Sequence, residues 1–198
     1  MNRIICSIAL TLTLLTATAH GGVIEFTDKD EWIDAVGAFT TIGFTGFPNG
    51  TFITNQYADL GVLFTDGNDS IRFSPTVFPN DEWGLDGNGD IAVAFDTPQL
   101  WIGVDFPGFL DIELYYQGKL IHTGVFGFGG IGNFSGLLST QPFDAAVLAE
   151  VGGSEAEIDD LHFGVPAPGT LPLLALGALW TRRRGSARAT STATGPWV

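Results

Sequence analysis

An antiparallel β-sandwich is the fold this sequence predicts, on three observations. Short runs rich in Val, Ile, Phe, Tyr and Thr recur between clusters of Gly, Pro, Asn and Asp from Val23 to Phe163, the pattern of strands and their turns. Helical periodicity occurs once in that stretch. The 27 glycines and 16 phenylalanines of the 198-residue chain supply tight turns and large apolar area together, and packed sheets need both. About ten short strands with almost no helix argue for an all-β sandwich, with a jelly roll as the expected version. An outer-membrane barrel is the competing architecture. Its regular alternating segments and aromatic girdles are not present.

The elements follow in order. A strand is expected at Val23–Thr27. Thr27 or Asp28 then caps a short N-terminal helix running to Ala38. Asp30 and Glu31 fall in its first turn, where carboxylates suit the helix dipole, and Trp32, Ile33 and Val36 share one side. Further strands are expected at Phe39–Thr45, Thr51–Thr54, Val62–Thr65, Ser70–Ser74 and Ile91–Asp96. Leu100–Phe106, Leu110–Gln117, Leu120–Phe126, Ala145–Val151 and Ile158–Phe163 complete the set. In Leu110-Asp-Ile-Glu-Leu-Tyr-Tyr-Gln117 apolar residues alternate with carboxylates, which gives a strand with one wet face. Gln117-Gly118-Lys119 is the turn of a hairpin between Tyr116 and Leu120.

The two ends carry addresses rather than fold. Arg3, an apolar run from Ile4 to Leu15 and the small-x-small triplet Ala17-Thr18-Ala19 read as a secretory signal peptide over residues 1–19, cut after Ala19 by signal peptidase. The apolar run, about a dozen residues, is too short to span a bilayer. At the other end, Pro166-Ala167-Pro168-Gly169 precedes the apolar Leu171–Trp180, and Arg182, Arg183 and Arg184 close the segment. Arginines of this kind stay on the cytoplasmic side of a membrane. As a helix, Thr170–Thr181 is about 18 Å long against a hydrocarbon core of roughly 30 Å, which suits a temporary transmembrane anchor better than a permanent one. Residues 185–198 are low in complexity and are expected to be disordered.

The order Pro-x-Pro-Gly, apolar segment, arginine cluster resembles the PEP-CTERM sorting signal of bacteria that make extracellular polysaccharide. By position, Pro166, Ala167, Pro168 and Gly169 match its motif and Arg182 to Arg184 its basic end, with Ala167 standing where that family has glutamate. The resemblance implies that an exosortase-like membrane protease is a partner and that the chain ends in the cell envelope or outside it. Residues 22–164 are also similar to the exported β-sandwich domains that precede such tails. Ile53-Thr-Asn-Gln-Tyr-Ala-Asp-Leu-Gly-Val-Leu-Phe64, Phe134-Ser-Gly-Leu-Leu-Ser-Thr-Gln-Pro-Phe143 and Ile158-Asp-Asp-Leu-His-Phe163 carry that likeness. These are packing motifs, and they imply location and fold rather than activity.

Residues 20–164 form one domain of roughly 145 residues. All 22 acidic residues fall in it, against three bases (Lys29, Arg72 and Lys119), so it carries about −19 where the whole chain carries −14. Such a surface repels phosphates and excludes nucleic acid as a partner. Its natural extracellular counter-ion is calcium. The one cysteine, Cys6, lies in the signal segment, so the mature domain has neither disulfide nor thiol chemistry.

Two calcium sites are candidates. Asp86, Asn88 and Asp90 have the one-three-five spacing by which a tight loop turns oxygens toward one ion. Ile91 and Thr97 stand where an EF-hand has its glycine and glutamate, so the loop is not an EF-hand. Asp66-Gly-Asn-Asp69 is a weaker copy, and an Asx-rich turn explains either loop without a metal. Glu25, Asp159 and Asp160 form the second candidate, if the first and last strands lie side by side as they often do in jelly rolls. A calcium there is drawn by analogy with carbohydrate-binding modules, and alternation can instead point the three carboxylates separately into water.

Enzyme signatures are scarce: no Gly-x-Ser-x-Gly elbow, His-Glu-x-x-His or phosphate loop occurs. Two carboxylates alone can hydrolyse a glycoside, so a carbohydrate-active or other hydrolytic enzyme is the alternative. Sugar rings stack on exposed aromatics; Trp83, Tyr57, Tyr115 and Tyr116 are the candidates, with Trp83 preferred. The expected function is that of an exported, non-catalytic structural or adhesive protein binding extracellular polysaccharide with the help of calcium.

Overall fold

The computed structural model describes residues 22–164, apart from 79, 81, 128, 129, 153 and 154. The expected signal peptide (1–19), the segment 165–184 with Pro166, Ala167, Pro168, Gly169, Arg182, Arg183 and Arg184, and the tail 185–198 lie outside the described residues. Among the described residues no helix is long and apolar enough to cross a membrane.

Among the described residues every strand pairing is antiparallel, and one α-helix accompanies the strands. The elements are β1 (Val23–Phe26), α1 (Lys29–Val36), β2 (Thr40–Ile42), β3 (Val62–Phe64), β4 (Ser70–Phe73) and β5 (Trp83–Asp86). They continue as β6 (Ile91–Phe106), β7 (Phe109–Tyr116), β8 (Lys119–Gly127), β9 (Asn133–Glu150), β10 (Glu157–Ile158) and β11 (Asp160–Gly164). The all-β class with one short N-terminal helix therefore holds.

Two long strands form the spine. β6 and β9 pair from Ile91 opposite Leu148 to Phe106 opposite Asn133. Their register shifts between Ala94 and Trp101, where Pro98 on β6 and Pro142 on β9 cannot donate to the ladder. The shift lets the spine serve different neighbours at its two ends. The first half of β6 pairs with β3 and its second half with β11, which carries β2 on its far edge. The first half of β9 pairs with β1 and its second half with β7, followed by β8. A second, three-stranded sheet runs β10–β5–β4.

The two sheets share one core. Ile71, Leu85 and Ile158 from the small sheet pack in the same cluster as Ile102, Val104, Ile112, Leu137 and Leu148 from the large one. This arrangement is consistent with a sandwich, in which inward-facing residues of both sheets bury one another. A smaller core lies under α1. Asp28 caps the helix by accepting a hydrogen bond from the Glu31 amide at 3.0 Å, and Gly37 ends it at φ 80°. Trp32, Val36, Trp101 and Phe134 form its centre. The Trp32 indole lies on the paired glycines Gly103 and Gly136; a β-carbon on Gly103 would approach its ring to 3.0 Å, and one on Gly136 would overlap it.

Several expected boundaries are corrected. Ile91–Asp96 and Leu100–Phe106 are parts of one strand, and Ala145–Val151 belongs to the end of an 18-residue strand that begins at Asn133. Thr51–Thr54 contributes only a bridge between Phe52 and Ser70. Trp83–Asp86 is a further strand, one that the expected set does not include.

Candidate metal centre

Acidic residues gather at two places, and in each the local fold explains the gathering. In β11, alternation puts Asp160 and His162 on one face. Register sets Asp160 opposite Asp105 and His162 opposite Gly103 on β6. The missing side chain at Gly103 leaves room for the aromatic rings above it. His162 is buried among Trp32, Phe39 and Phe134. Its Nε2 lies 2.8 Å from Asp105 Oδ2 and its Nδ1 2.9 Å from the Thr41 hydroxyl. The helix supplies the cation: Lys29, in the first turn of α1, places Nζ 2.7 Å from Asp105 Oδ2 and 3.9 Å from Asp160 Oδ2. Asp105, Asp160 and His162 have the composition of a metal-binding group, with ligand atoms within 4.8 Å of one another. Lys29 already sits between the two carboxylates. This cluster therefore fastens α1 to the sheet with charge drawn from the chain itself.

The second gathering joins the two Asx-rich loops noted in the sequence. β4 and β5 pair so that Ser70 faces Asp86, and Asp86 in turn faces Glu157 on β10. Asp69, one residue before β4, is thereby carried into the interior; its carbonyl accepts the Ile53 amide at 2.9 Å. Its side chain is 0% exposed, and no hydrogen-bond donor among the described residues reaches either carboxylate oxygen. The groups acting on it are further acids. Burial first, then a side-chain contact with Asp66 and the charges of Asp66 and Asp86, push its pKa up to about 8. Burial also raises Glu157, against the opposing pull of Arg72. Arg72 Nη1 reaches Asp86 Oδ2 at 3.2 Å and also pairs closely with Glu157. Beside these groups lies a cavity of about 280 Å³ lined by Phe52, Asn68, Ser70, Asp86, Asn88 and Glu155.

The sequence candidates fare unequally. Asp86 and Asn88 line this cavity, whereas Asp90 is exposed and is not among its lining residues. Glu25 does not join Asp159 and Asp160. β1 pairs with β9, while β11 lies between β2 and β6, so the first and last strands are not neighbours. Glu25 Oε1 instead lies 3.2 Å from His122 Nε2. Asp159 is buried, with its amide donating to the Asp105 carbonyl at 2.7 Å. Asp160, not Asp159, joins the Asp105–His162 group. Trp83 is half-buried beside Phe73, ring centroids 4.9 Å apart, and alternation along β5 turns it to the face opposite Asp86. Tyr57 is no surface platform. It packs against Phe44, Phe47 and Phe64, and burial raises its pKa to about 12.

Three residues escaped the sequence candidates: Asp69 as a buried acid, Asp105, and His162. Period-two spacing held the signal for two of them. Asp69 shares parity with buried Ile71, and Asp160 shares parity with His162. No protein-family model and no curated protein matches this chain.

Proposed function

We propose that this is an exported, non-catalytic β-sandwich of the cell envelope or extracellular matrix, structural or adhesive in role, which binds polysaccharide with the help of calcium. The carrying observation is the separation of charge: all 22 carboxylates lie in residues 20–164 with only three bases, while four arginines follow the apolar segment Leu171–Trp180. An acidic domain in that order suits the outside of a membrane, with signal peptidase acting at Ala19 and an exosortase-like protease at Pro166–Gly169. The jelly roll is the version of the sandwich we favour, because β6 and β9 each serve two sets of neighbours. The stacking surface is the pair formed by Trp83 and the exposed Phe73.

A hydrolytic enzyme is the second reading, favoured by the chain Thr41 hydroxyl, His162 imidazole, Asp105 carboxylate. Two features weigh against it. Lys29 claims the same Asp105 oxygen that faces the imidazole, and His162 is buried under three aromatic rings. Isolation of the chain from producing cells tests the proposal. We expect it in the envelope or medium without residues 1–19, retained on the cells' own polysaccharide, with retention weakened about tenfold or more by Trp83→Ala, as for a buried aromatic anchor. Unprocessed chain in the cytosol, or sugar release that stops when one carboxylate is replaced, would overturn it.

A further inference from the structure

We propose that Asp66 and Asp69 hold one calcium ion in the turn before β4, with the Asp86 loop beside it across the β4–β5 ladder. Acidity alone does not carry this. Asp69 does, because its side chain is fully enclosed and neither oxygen has a donor among the described residues. A carboxylate so placed needs a cation beside it or must keep its proton. No lysine or arginine among the described residues pairs with it. Of the domain's three bases, Arg72 is engaged with Asp86 and Glu157, Lys29 with Asp105 and Asp160, and Lys119 begins β8 at the β7–β8 hairpin.

The chemistry of the donors selects the ion. Asp66 and Asp69 offer only oxygen, as does the Asn68 amide carbonyl between them, and hard divalent cations take oxygen ligands. Calcium fits better than magnesium. The glycine-containing turn, with Gly67 at φ 76°, can adjust to the looser geometry of calcium, while magnesium demands a near-ideal octahedron. The cavity lined by Asn68, Ser70 and Asn88 opens beside this turn, with Asn68 and Ser70 flanking Asp69.

The site deepens the calcium part of the function proposed above, yet it does not require export or a glycan. Calorimetric titration of calcium into the purified full chain tests it, alongside thermal melts in calcium and in EDTA. We expect one site with a Kd of about 10⁻⁴ to 10⁻³ M, the range of extracellular modules, a higher Tm in calcium, and weaker binding of magnesium. Asp69→Asn and Asp66→Asn should each weaken calcium at least tenfold. Asp66 is exposed, so Asp66→Asn decides the matter if Asp69→Asn does not fold. No heat of binding with equal Tm in both media, or undiminished binding by Asp66→Asn, overturns the site. Calcium binding without retention on polysaccharide would sink the adhesive role and leave the site standing.

Discussion

The enclosed carboxyl of Asp69 makes stability depend on pH in a direction opposite to that of an ordinary surface acid. Its pKa is about 8 in the folded chain against 3.8 for a free aspartate. Between these values the folded chain holds a proton that the unfolded chain has lost. The corresponding stability is fully present below pH about 4 and is lost as pH rises through 8. Glu157, also raised by burial, adds a loss of the same sign. In EDTA, the urea midpoint should therefore fall as pH is raised from about 4 to about 8, and Asp69→Asn should make that fall clearly shallower, since an amide does not ionise. A variant curve as steep as the parent's would contradict the assignment. Part of this was legible in the sequence, because two-residue spacing puts Asp69 on the side of Ile71. Its neighbours hid it: the Asn68 amide donates to Asp66 Oδ1 at 2.8 Å, and an Asx turn needs no metal to explain its composition.

Single elements were legible where a side-chain period ran unbroken. α1 begins at the residue after its expected cap, and the β7–β8 hairpin turns at Gln117-Gly118, both with positive φ, as a two-residue turn requires. The spine was not legible as a unit. Pro98 and Pro142 punctuate β6 and β9 in the manner of turns, but both fall at the register shift, where the lost hydrogen bonds are tolerated. β5 escaped because Trp-Gly-Leu-Asp is too short and Gly84 too neutral to show a period. The seat of α1 yields a test at this scale. Gly136→Ala drives a methyl into the Trp32 indole, and we expect about 1–3 kcal/mol of destabilisation by urea unfolding, the usual cost of overpacking. Gly152→Ala supplies a contrast: its β-carbon meets nothing within 4 Å, so any cost there reflects its positive φ and not crowding. Equal stability of Gly136→Ala and the parent would mean that Trp32 does not rest on that glycine.

For the molecule as a whole, composition and turn chemistry declared the all-β class, since they are local properties summed along the chain. Strand neighbours are not local. β11 lies against β6, whose paired residues are more distant in sequence than any turn signal reaches, and β1 lies against β9 instead of β11. The expected Glu25–Asp159–Asp160 cluster failed for that reason. The Asp86 loop instead found its companion in the Asp66–Asp69 turn through the β4–β5 pairing. The same topology gives one acidic cluster a lysine and leaves the other with a buried carboxylate that lacks a donor among the described residues. The most direct test is anomalous diffraction from crystals of the chain grown in calcium. A peak about 2.3–2.6 Å from Asp69 and Asp66 oxygens is the predicted result. Clear density for Asp69 and Asp66 sharing a proton, with no ion beside them in millimolar calcium, would contradict it.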